Sequence, residues 1–167
     1  MNRHERRKQK KERGNVSTLQ NELLKAIQFH VNKDFKNAEL IYQQIISQEP
    51  DNYDALRHLG ILKQDIGNYE EAYNYYLKCI KLRPNGFEAL NNLGAIHVRN
   101  KNYPFAQKCF EKANAISKNY VPVINNLASL FHKLQNKESA LKFSTKALSL
   151  QPDNPITKNQ HAKALIL

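Results

Sequence analysis

A period of 34 residues constrains this chain more than any other feature. Small residues recur in two columns when 53–86, 87–120 and 121–154 are aligned. The columns hold Gly60, Gly94 and Ala128 in one case, and Ala72, Ala106 and Ala140 in the other. A repeat of this length, with large and small apolar residues at fixed offsets, is typical of stacked helical hairpins. The sequence therefore predicts an all-α array, and such arrays hold partners far more often than they catalyse reactions.

The apolar spacing predicts nine helices. The first starts with a capping-type Ser17-Thr18 and runs to about Val31, and the second follows a short turn and ends before Pro50. The next six are predicted near 53–66, 69–82, 87–100, 103–116, 121–134 and 137–150. Asn154 before Pro155 is a cap and first-turn pair that predicts the ninth helix. Gly67 suits the left-handed residue that closes a helix.

Positive charge is concentrated at both ends of the chain, whose formal net charge is +11. Residues 1–15 carry seven Lys or Arg against two Glu, and residues 87–167 carry eleven against four acidic residues. Residues 2–15 contain no apolar side chain, so the sequence predicts a disordered basic arm over 1–16 and a helical domain over 17–167. Phosphate backbones, acidic membrane surfaces and acidic protein segments are all electrostatically eligible partners.

Several classes of protein are not favoured by this sequence. Cys79 and Cys109, the two cysteines, fall inside predicted helices, where core packing is favoured over a disulfide or a metal site. No glycine-rich phosphate loop, metal-spaced His-Glu pair or nucleophile elbow is present. No apolar stretch is long enough to cross a bilayer, and none has the form of a secretory signal. We therefore expect a cytoplasmic protein that is not an enzyme and needs no cofactor or metal.

The repeated residues resemble the tetratricopeptide repeat. The match rests on a small residue at position 8, an aromatic residue at position 24 and a bulky residue at position 4. These positions hold Ala26, Gly60, Gly94, Ala128 and Ala162; Tyr42, Tyr76 and Phe110; and Leu56, Leu90 and Ile124. The resemblance implies a right-handed α-solenoid of antiparallel helix hairpins. Its four units would be 19–52, 53–86, 87–120 and 121–154, with a capping helix over 155–167. The sequence departs from the family pattern at Ser144, Lys158 and His161.

In this family the first helix of each hairpin lines a concave groove, which here would carry a column of polar side chains. Positions 5 and 6 hold Arg57 and His58, Asn91 and Asn92, Asn125 and Asn126, and Asn159 and Gln160. Amides donate and accept hydrogen bonds, so such a row can pair with the peptide groups of an extended chain. With Arg99, His132 and Lys133 they form the predicted groove, and its basic members favour an acidic protein or peptide.

The Asn-Leu-small signature at Asn92 and Asn126 is similar to the repeat region of the O-linked N-acetylglucosamine transferases. This resemblance leaves open that the chain is the substrate-recruiting N-terminal part of a glycosyl- or sulfotransferase. The competing interpretation is that these asparagines only solvate a helix face. A carboxylate clamp of the co-chaperone type is rejected, because Ile61, Pro122 and Asn126 stand where the clamp needs other residues.

A second column of basic residues is predicted on the convex side. It consists of Lys78, Lys108, Lys112, Lys142 and Lys146. Lysines one turn apart repel each other unless an anion or solvent screens them, so this strip could receive phosphates or lipid head groups. The alternative is a solvated face that keeps the protein soluble. Together with the arm, the strip leaves open an association with RNA, the ribosome or an anionic surface, although the arm has no base-stacking aromatics.

Overall fold

The computed structural model describes the backbone of residues 3–167 and the side chains of Glu5 and residues 18–167. These residues form nine α-helices and no strand. The helices are α1 (Arg3–Val31), α2 (Phe35–Gln48), α3 (Tyr53–Asp65), α4 (Tyr69–Leu82), α5 (Phe87–Arg99), α6 (Tyr103–Ile116), α7 (Val121–Lys133), α8 (Lys137–Leu150) and α9 (Pro155–Leu165). The all-α fold is confirmed, and α3 to α8 lie within one residue of their predicted bounds.

The first helix begins earlier than predicted. Its first residue is Arg3, whereas the capping pattern places the start at Ser17-Thr18. Residues 3–13 are dominated by Arg, Lys, Gln and Glu, which are good helix formers. The side chains of residues 6–17 lie outside the described residues, and the basic arm over 1–16 stays a prediction.

The turn inside each hairpin has one backbone form, repeated every 34 residues. Gly67 takes the left-handed conformation as predicted, with φ +85°. The equivalent residues of the other three hairpins are Lys33, Lys101 and Gln135, with φ of 62°, 58° and 58°. The following amide then closes the helix, as Asn68 N–H does on the Lys63 carbonyl. Repeat geometry imposes this conformation even where the residue is not glycine.

The helices form two compact units, which divide after Lys78 within α4. In the first unit, the core is built on α1, α2 and α3 around Ala26, Tyr42 and Leu59. Lys63 on α3 is almost buried, and its ammonium contacts Glu39 on α2 at 2.8 Å and Glu71 on α4 at 2.9 Å. Burial alone would lower the pKa of Lys63, but hydrogen bonds to both carboxylates outweigh it and the pKa is raised. The lysine therefore joins three helices as a cation.

The small residues of the repeat allow aromatic rings to lie against helix backbone. A methyl group built on Gly60 would lie 2.7 Å from Cε1 of Tyr76, within the first unit. In the second unit, one built on Gly94 would lie 2.5 Å from Cε1 of Phe110. Both rings are fully buried, so neither can move aside cheaply. The 34-residue column of small residues is thus explained by close packing.

The second unit has its core between α5, α6, α7 and α8, around Phe110, Leu127 and Leu130. The last helix, α9, packs on α7 and α8 and buries Ala164 in that core. Two sequence departures meet here, because the buried Ser144 hydroxyl lies 3.1 Å from Nδ1 of His161. A polar contact therefore replaces the aromatic packing of the other repeats at the α8–α9 junction.

Candidate functional site

The candidate site in the second unit is a row of four amides, which we call the amide row. It consists of Asn91 and Asn92 on α5 and Asn125 and Asn126 on α7. These helices contact each other directly. Asn126 Nδ2 donates to Asn91 Oδ1 over 2.8 Å, so the side chains are linked across 35 positions of sequence. The bond fixes the orientation of both amides.

The amide row contains two kinds of asparagine. Asn91 and Asn125 are each only 8% exposed, and Asn125 Nδ2 donates to Thr157 Oγ1 of α9 over 3.2 Å. Asn92 and Asn126 are half-buried, and Asn92 takes no part in either bond. The position-5 asparagines therefore serve helix packing, and the position-6 asparagines are the accessible pair.

The other predicted groove residues of this unit lie at helix ends or on α9. Arg99 and Lys133 are exposed, and His132 is half-buried near the end of α7. On α9, Asn159 is exposed and Gln160 is half-buried. Their participation in ligand binding stays a prediction, like that of the amide row.

In the first unit, Arg57 and His58 form a hydrogen-bonded pair on α3. The guanidinium Nη2 lies 2.9 Å from His58 Nε2. Because a guanidinium can only donate, Nε2 accepts and the ring proton sits on Nδ1. Burial, reinforced by the Arg57 charge, lowers the pKa of His58 to about 4. The ring also stacks on Tyr42, with centroids 6.0 Å apart, and it is uncharged at neutral pH.

His58 is part of a cavity that sequence reasoning did not find, which we call the N-terminal pocket. The pocket lies within the first unit and has a volume of about 670 Å³. Its apolar wall is formed by Ile27, Val31, Phe35 and Ile61. Its polar lining is formed by His30, Lys33, His58 and Asp65. The available signal was the apolar Val31, whose counterparts in the later repeats are Asp65, Arg99 and Lys133; in the sequence Val31 served only to place the end of the first helix.

The lysines of the predicted convex strip lie on second helices of their hairpins. Lys108 and Lys112 are exposed on α6, Lys142 is exposed on α8, and Lys146 is half-buried there. The Lys146 ammonium donates to the Lys118 carbonyl. In the first unit, Lys78 is exposed on α4. Anion binding by these residues stays a prediction.

Two negative findings concern the part of the chain that the structure describes. No group of three or more His, Cys, Asp or Glu side chains is arranged there to hold a metal ion. None of its helices combines the length and the apolar character needed to cross a membrane.

The fold and the repeated turns are those of helix-hairpin repeat proteins. Comparison with known families identifies which family of this class the chain belongs to. Two family models described as tetratricopeptide repeat match the chain, one at 53–85 and 121–154 and the other at 75–108. Together they cover more than half of the chain, which belongs to the tetratricopeptide-repeat family. No curated protein matches the chain significantly.

Many solved structures share this fold, and the three described here are 18–24% identical to the chain. The chain is similar to the protein studied in a functional characterisation of Pseudomonas aeruginosa PilF, with a TM-score of 0.83, 18% identity, and coverage of 92% of this chain and 70% of that one. A MamA protein gives a TM-score of 0.71 at 20% identity over 90% and 82% of the two chains. The first repeat domain of Spaghetti (RPAP3), bound to an HSP90 peptide, gives a TM-score of 0.64 at 24% identity over 68% and 90%.

Proposed function

We propose that this protein is an interaction scaffold that binds an extended peptide segment of a partner through the first helices of its hairpins. The carrying observation is the hydrogen bond between Asn126 and Asn91. It holds Asn126 in place without a ligand, so binding to this amide costs less side-chain entropy than binding to a free one. Asn126 retains its oxygen and one N–H, and the half-buried Asn92 adds a complete amide, so a peptide group has both donors and acceptors to meet.

The chemistry of this row favours recognition of backbone over recognition of side chains. An amide pairs with any peptide group, whatever residue carries it. Arg99 and Lys133 at the helix ends add positive charge and favour acidic segments. A neighbour in structure, the Spaghetti repeat domain, has been solved with a peptide bound, which supports a peptide as the kind of ligand.

A peptide library tests the proposal, with binding to the whole protein as the readout. We expect random dodecapeptides displayed on phage to yield binders with the natural sequence. For those peptides, Asn92→Ala should lower affinity about three- to tenfold, as loss of one or two amide hydrogen bonds implies.

The matched control is Asn74→Ala, which changes an exposed mid-helix asparagine of α4 in the same way. Both changes raise helix propensity equally, so thermal stability should be unchanged or slightly raised in each. Equal peptide affinity of the natural protein and both variants would show that Asn92 does not contribute to binding. A lower melting temperature for Asn92→Ala alone would show that this asparagine is structural. Either result would overturn the proposal.

The basic arm and the lysine strip support a different candidate, association with RNA, the ribosome or an anionic surface. Its affinity would fall steeply with salt concentration and would depend on residues 1–15. Recruitment of a protein substrate to a transferase is also a form of peptide binding. The peptide-library experiment therefore tests that alternative in the same way.

A further inference from the structure

Phe105 is the one exposed aromatic residue among the side chains that the structure describes. It lies in the first turn of α6 and is 55% exposed. The other repeats carry Asn37, Glu71 and Ser139 at this position, so the repeat fold does not require a ring there. The ring lies against that of His97 on α5, with centroids 5.6 Å apart and planes inclined by 30°. This contact restricts the ring, while more than half of the side chain stays open to solvent.

Lysines share the exposed face of α6 with this ring. Lys108 and Lys112 follow Phe105 by three and seven residues, a spacing that places the three side chains on one side of a helix. Both lysines are exposed. The Lys108 ammonium lies 5.5 Å from the ring centroid of Phe105, within the range of cation–π attraction. The Glu111 carboxylate accepts a hydrogen bond from Gln107. We call Phe105, Lys108 and Lys112 the aromatic–basic patch.

The next repeat of the second unit continues this positive charge. Lys142 on α8 occupies the position that Lys108 has on α6, and it is exposed. Together α6 and α8 carry five lysines and two glutamates. An excess of positive charge along equivalent helices attracts phosphate groups.

The ring decides between the anionic partners that these lysines could attract. The carboxylates of an acidic peptide can pair with lysines, but the face of an aromatic ring is itself negative and repels them. A membrane surface takes up several apolar side chains that project together, whereas the two positions that share the face of Phe105 are lysines. A nucleobase stacks on an aromatic ring and brings phosphates with it. In a duplex the faces of the bases are already stacked, so the strand must be single.

We propose that the aromatic–basic patch binds single-stranded nucleic acid, with one base stacked on Phe105 and neighbouring phosphates held by Lys108 and Lys112. This binding is separate from the proposed peptide binding and does not use the amide row. Stacking of one base on an aromatic side chain strengthens binding by roughly 5- to 100-fold and depends little on which base it is. The patch therefore supplies affinity for a single strand without a sequence preference.

The test measures fluorescence anisotropy of labelled oligonucleotides about 12 nucleotides long, within the range of site sizes known for single-strand binders. The same mixed sequence is used as single-stranded RNA, as single-stranded DNA and as a DNA duplex. The full chain is compared with Phe105→Ala, Phe105→Leu and Phe105→Trp. Leucine keeps the apolar bulk and removes the aromatic face, so Phe105→Leu isolates stacking. Ile116→Ala is the control, because Ile116 is also exposed on α6. Circular dichroism melting checks that each variant is folded.

We expect both single strands to bind the natural protein, because RNA and DNA share bases and phosphates. Phe105→Ala and Phe105→Leu should each weaken binding by roughly 5- to 100-fold, and Ile116→Ala by less than about twofold. For the duplex, the changes at Phe105 should matter less than about twofold. The natural chain has no tryptophan, so the fluorescence of Phe105→Trp reports on this position alone. It should be quenched as a single strand binds.

The two lysines are tested by their effect on salt dependence. Changing Lys108 and Lys112 together to glutamine removes two phosphate contacts, so the slope of log affinity against log salt should become less steep by about 1.4. The change from Phe105 to leucine should leave this slope unaltered, because stacking releases no counterions. The basic residues 1–15 are present in every variant, and their contribution cancels in each comparison.

Absence of binding of either single strand to the natural protein would overturn this inference. So would equal affinity of the natural protein and Phe105→Leu, because charge alone would then explain the binding. Binding to Phe105→Trp without any change in its fluorescence would also contradict stacking. Vesicles of phosphatidylcholine and phosphatidylserine, and a polyglutamate peptide, are titrated in parallel. If Phe105→Leu weakens either of these as much as the single strands, the ring serves a lipid or protein partner. Each of these failures leaves the proposed peptide binding standing.

Discussion

At the scale of single residues, helix packing in the repeat depends on a small side chain at position 8. Gly94 lies against the ring of Phe110, and Gly60 lies against that of Tyr76. Where the aromatic is replaced by Ser144, the matching small position carries Ala128 instead of glycine. At Gly60 and Gly94 a methyl group would occupy the space of the ring, whereas the first repeat combines Ala26 and Tyr42 at the same two positions within one core.

Gly94→Ala is therefore expected to destabilise the protein. Overpacking costs about 1–3 kcal/mol, and the better helix propensity of alanine returns up to about 1 kcal/mol. We expect a net loss of about 1–2 kcal/mol in the free energy of unfolding, measured by urea denaturation. In a Phe110→Leu background the ring is gone, so the same change should cost clearly less. Equal costs in both backgrounds would show that the ring is not the obstacle.

His58 should make stability depend on pH in a defined window. Its pKa is lowered to about 4 in the folded state by burial and by the Arg57 charge, from an ordinary value of 6.5. Between these values the unfolded chain binds more protons, so the free energy of unfolding falls as pH falls from 6.5 to 4, by at most about 1.4 kcal/mol per pH unit.

Urea denaturation at a series of pH values checks this. His58→Gln should flatten the slope between pH 6.5 and 4 and leave the part contributed by other groups, such as His97, whose pKa is also lowered by burial. A variant with the same slope as the natural protein would contradict the assignment.

At the scale of elements, helix positions could be predicted from the sequence except for the start of α1, and helix contacts could be predicted only in part. Apolar period and cap residues give bounds because they act within one helix. Ser144 and His161, which contact each other, lie 17 positions apart and each departs from the family pattern. Taken singly, neither departure predicts the contact. The N-terminal pocket was missed for the same reason, since its walls come from separate helices.

The packing of α9 on α7 depends on one such contact between helices. Thr157 on α9 is fully buried and accepts the hydrogen bond from Asn125. Thr157→Val keeps the shape and removes the acceptor, which leaves a buried amide N–H without this partner at a cost of about 1–3 kcal/mol. We expect faster native-state hydrogen exchange in α9 and little change in α5.

The control for this experiment is Thr157→Ser, which keeps the hydroxyl and removes only a methyl group. Similar exchange rates in the Val and Ser variants would show that packing, and not the hydrogen bond, holds α9 to α7.

At the scale of the whole molecule, positive charge and the amide row are expected to act on different stages of binding. The net charge of +11 attracts an acidic peptide from a distance, and salt screens this attraction. Hydrogen bonds from fixed amides act only at contact. The net charge could be counted from the sequence. The accessible asparagines could not be predicted from it, because the sequence does not show that Asn126 bonds to Asn91.

Raising the ionic strength from about 0.05 M to 0.5 M should therefore slow association of an acidic peptide. The ratio of its affinities for the natural protein and Asn92→Ala should stay constant. Surface plasmon resonance at several salt concentrations measures both quantities, and a ratio that collapses at high salt would mean that Asn92 acts through charge-dependent positioning.

The central claim is that accessible amides of the repeat bind peptide backbone, and methylation of that backbone tests it most directly. A library-selected peptide is made with each N–H methylated in turn, and each version is titrated calorimetrically against the natural protein and Asn92→Ala. The account predicts one or two positions where methylation weakens binding about three- to tenfold on the natural protein and has almost no effect on Asn92→Ala. Methylation that is harmless everywhere, or equally harmful on both proteins, would contradict it.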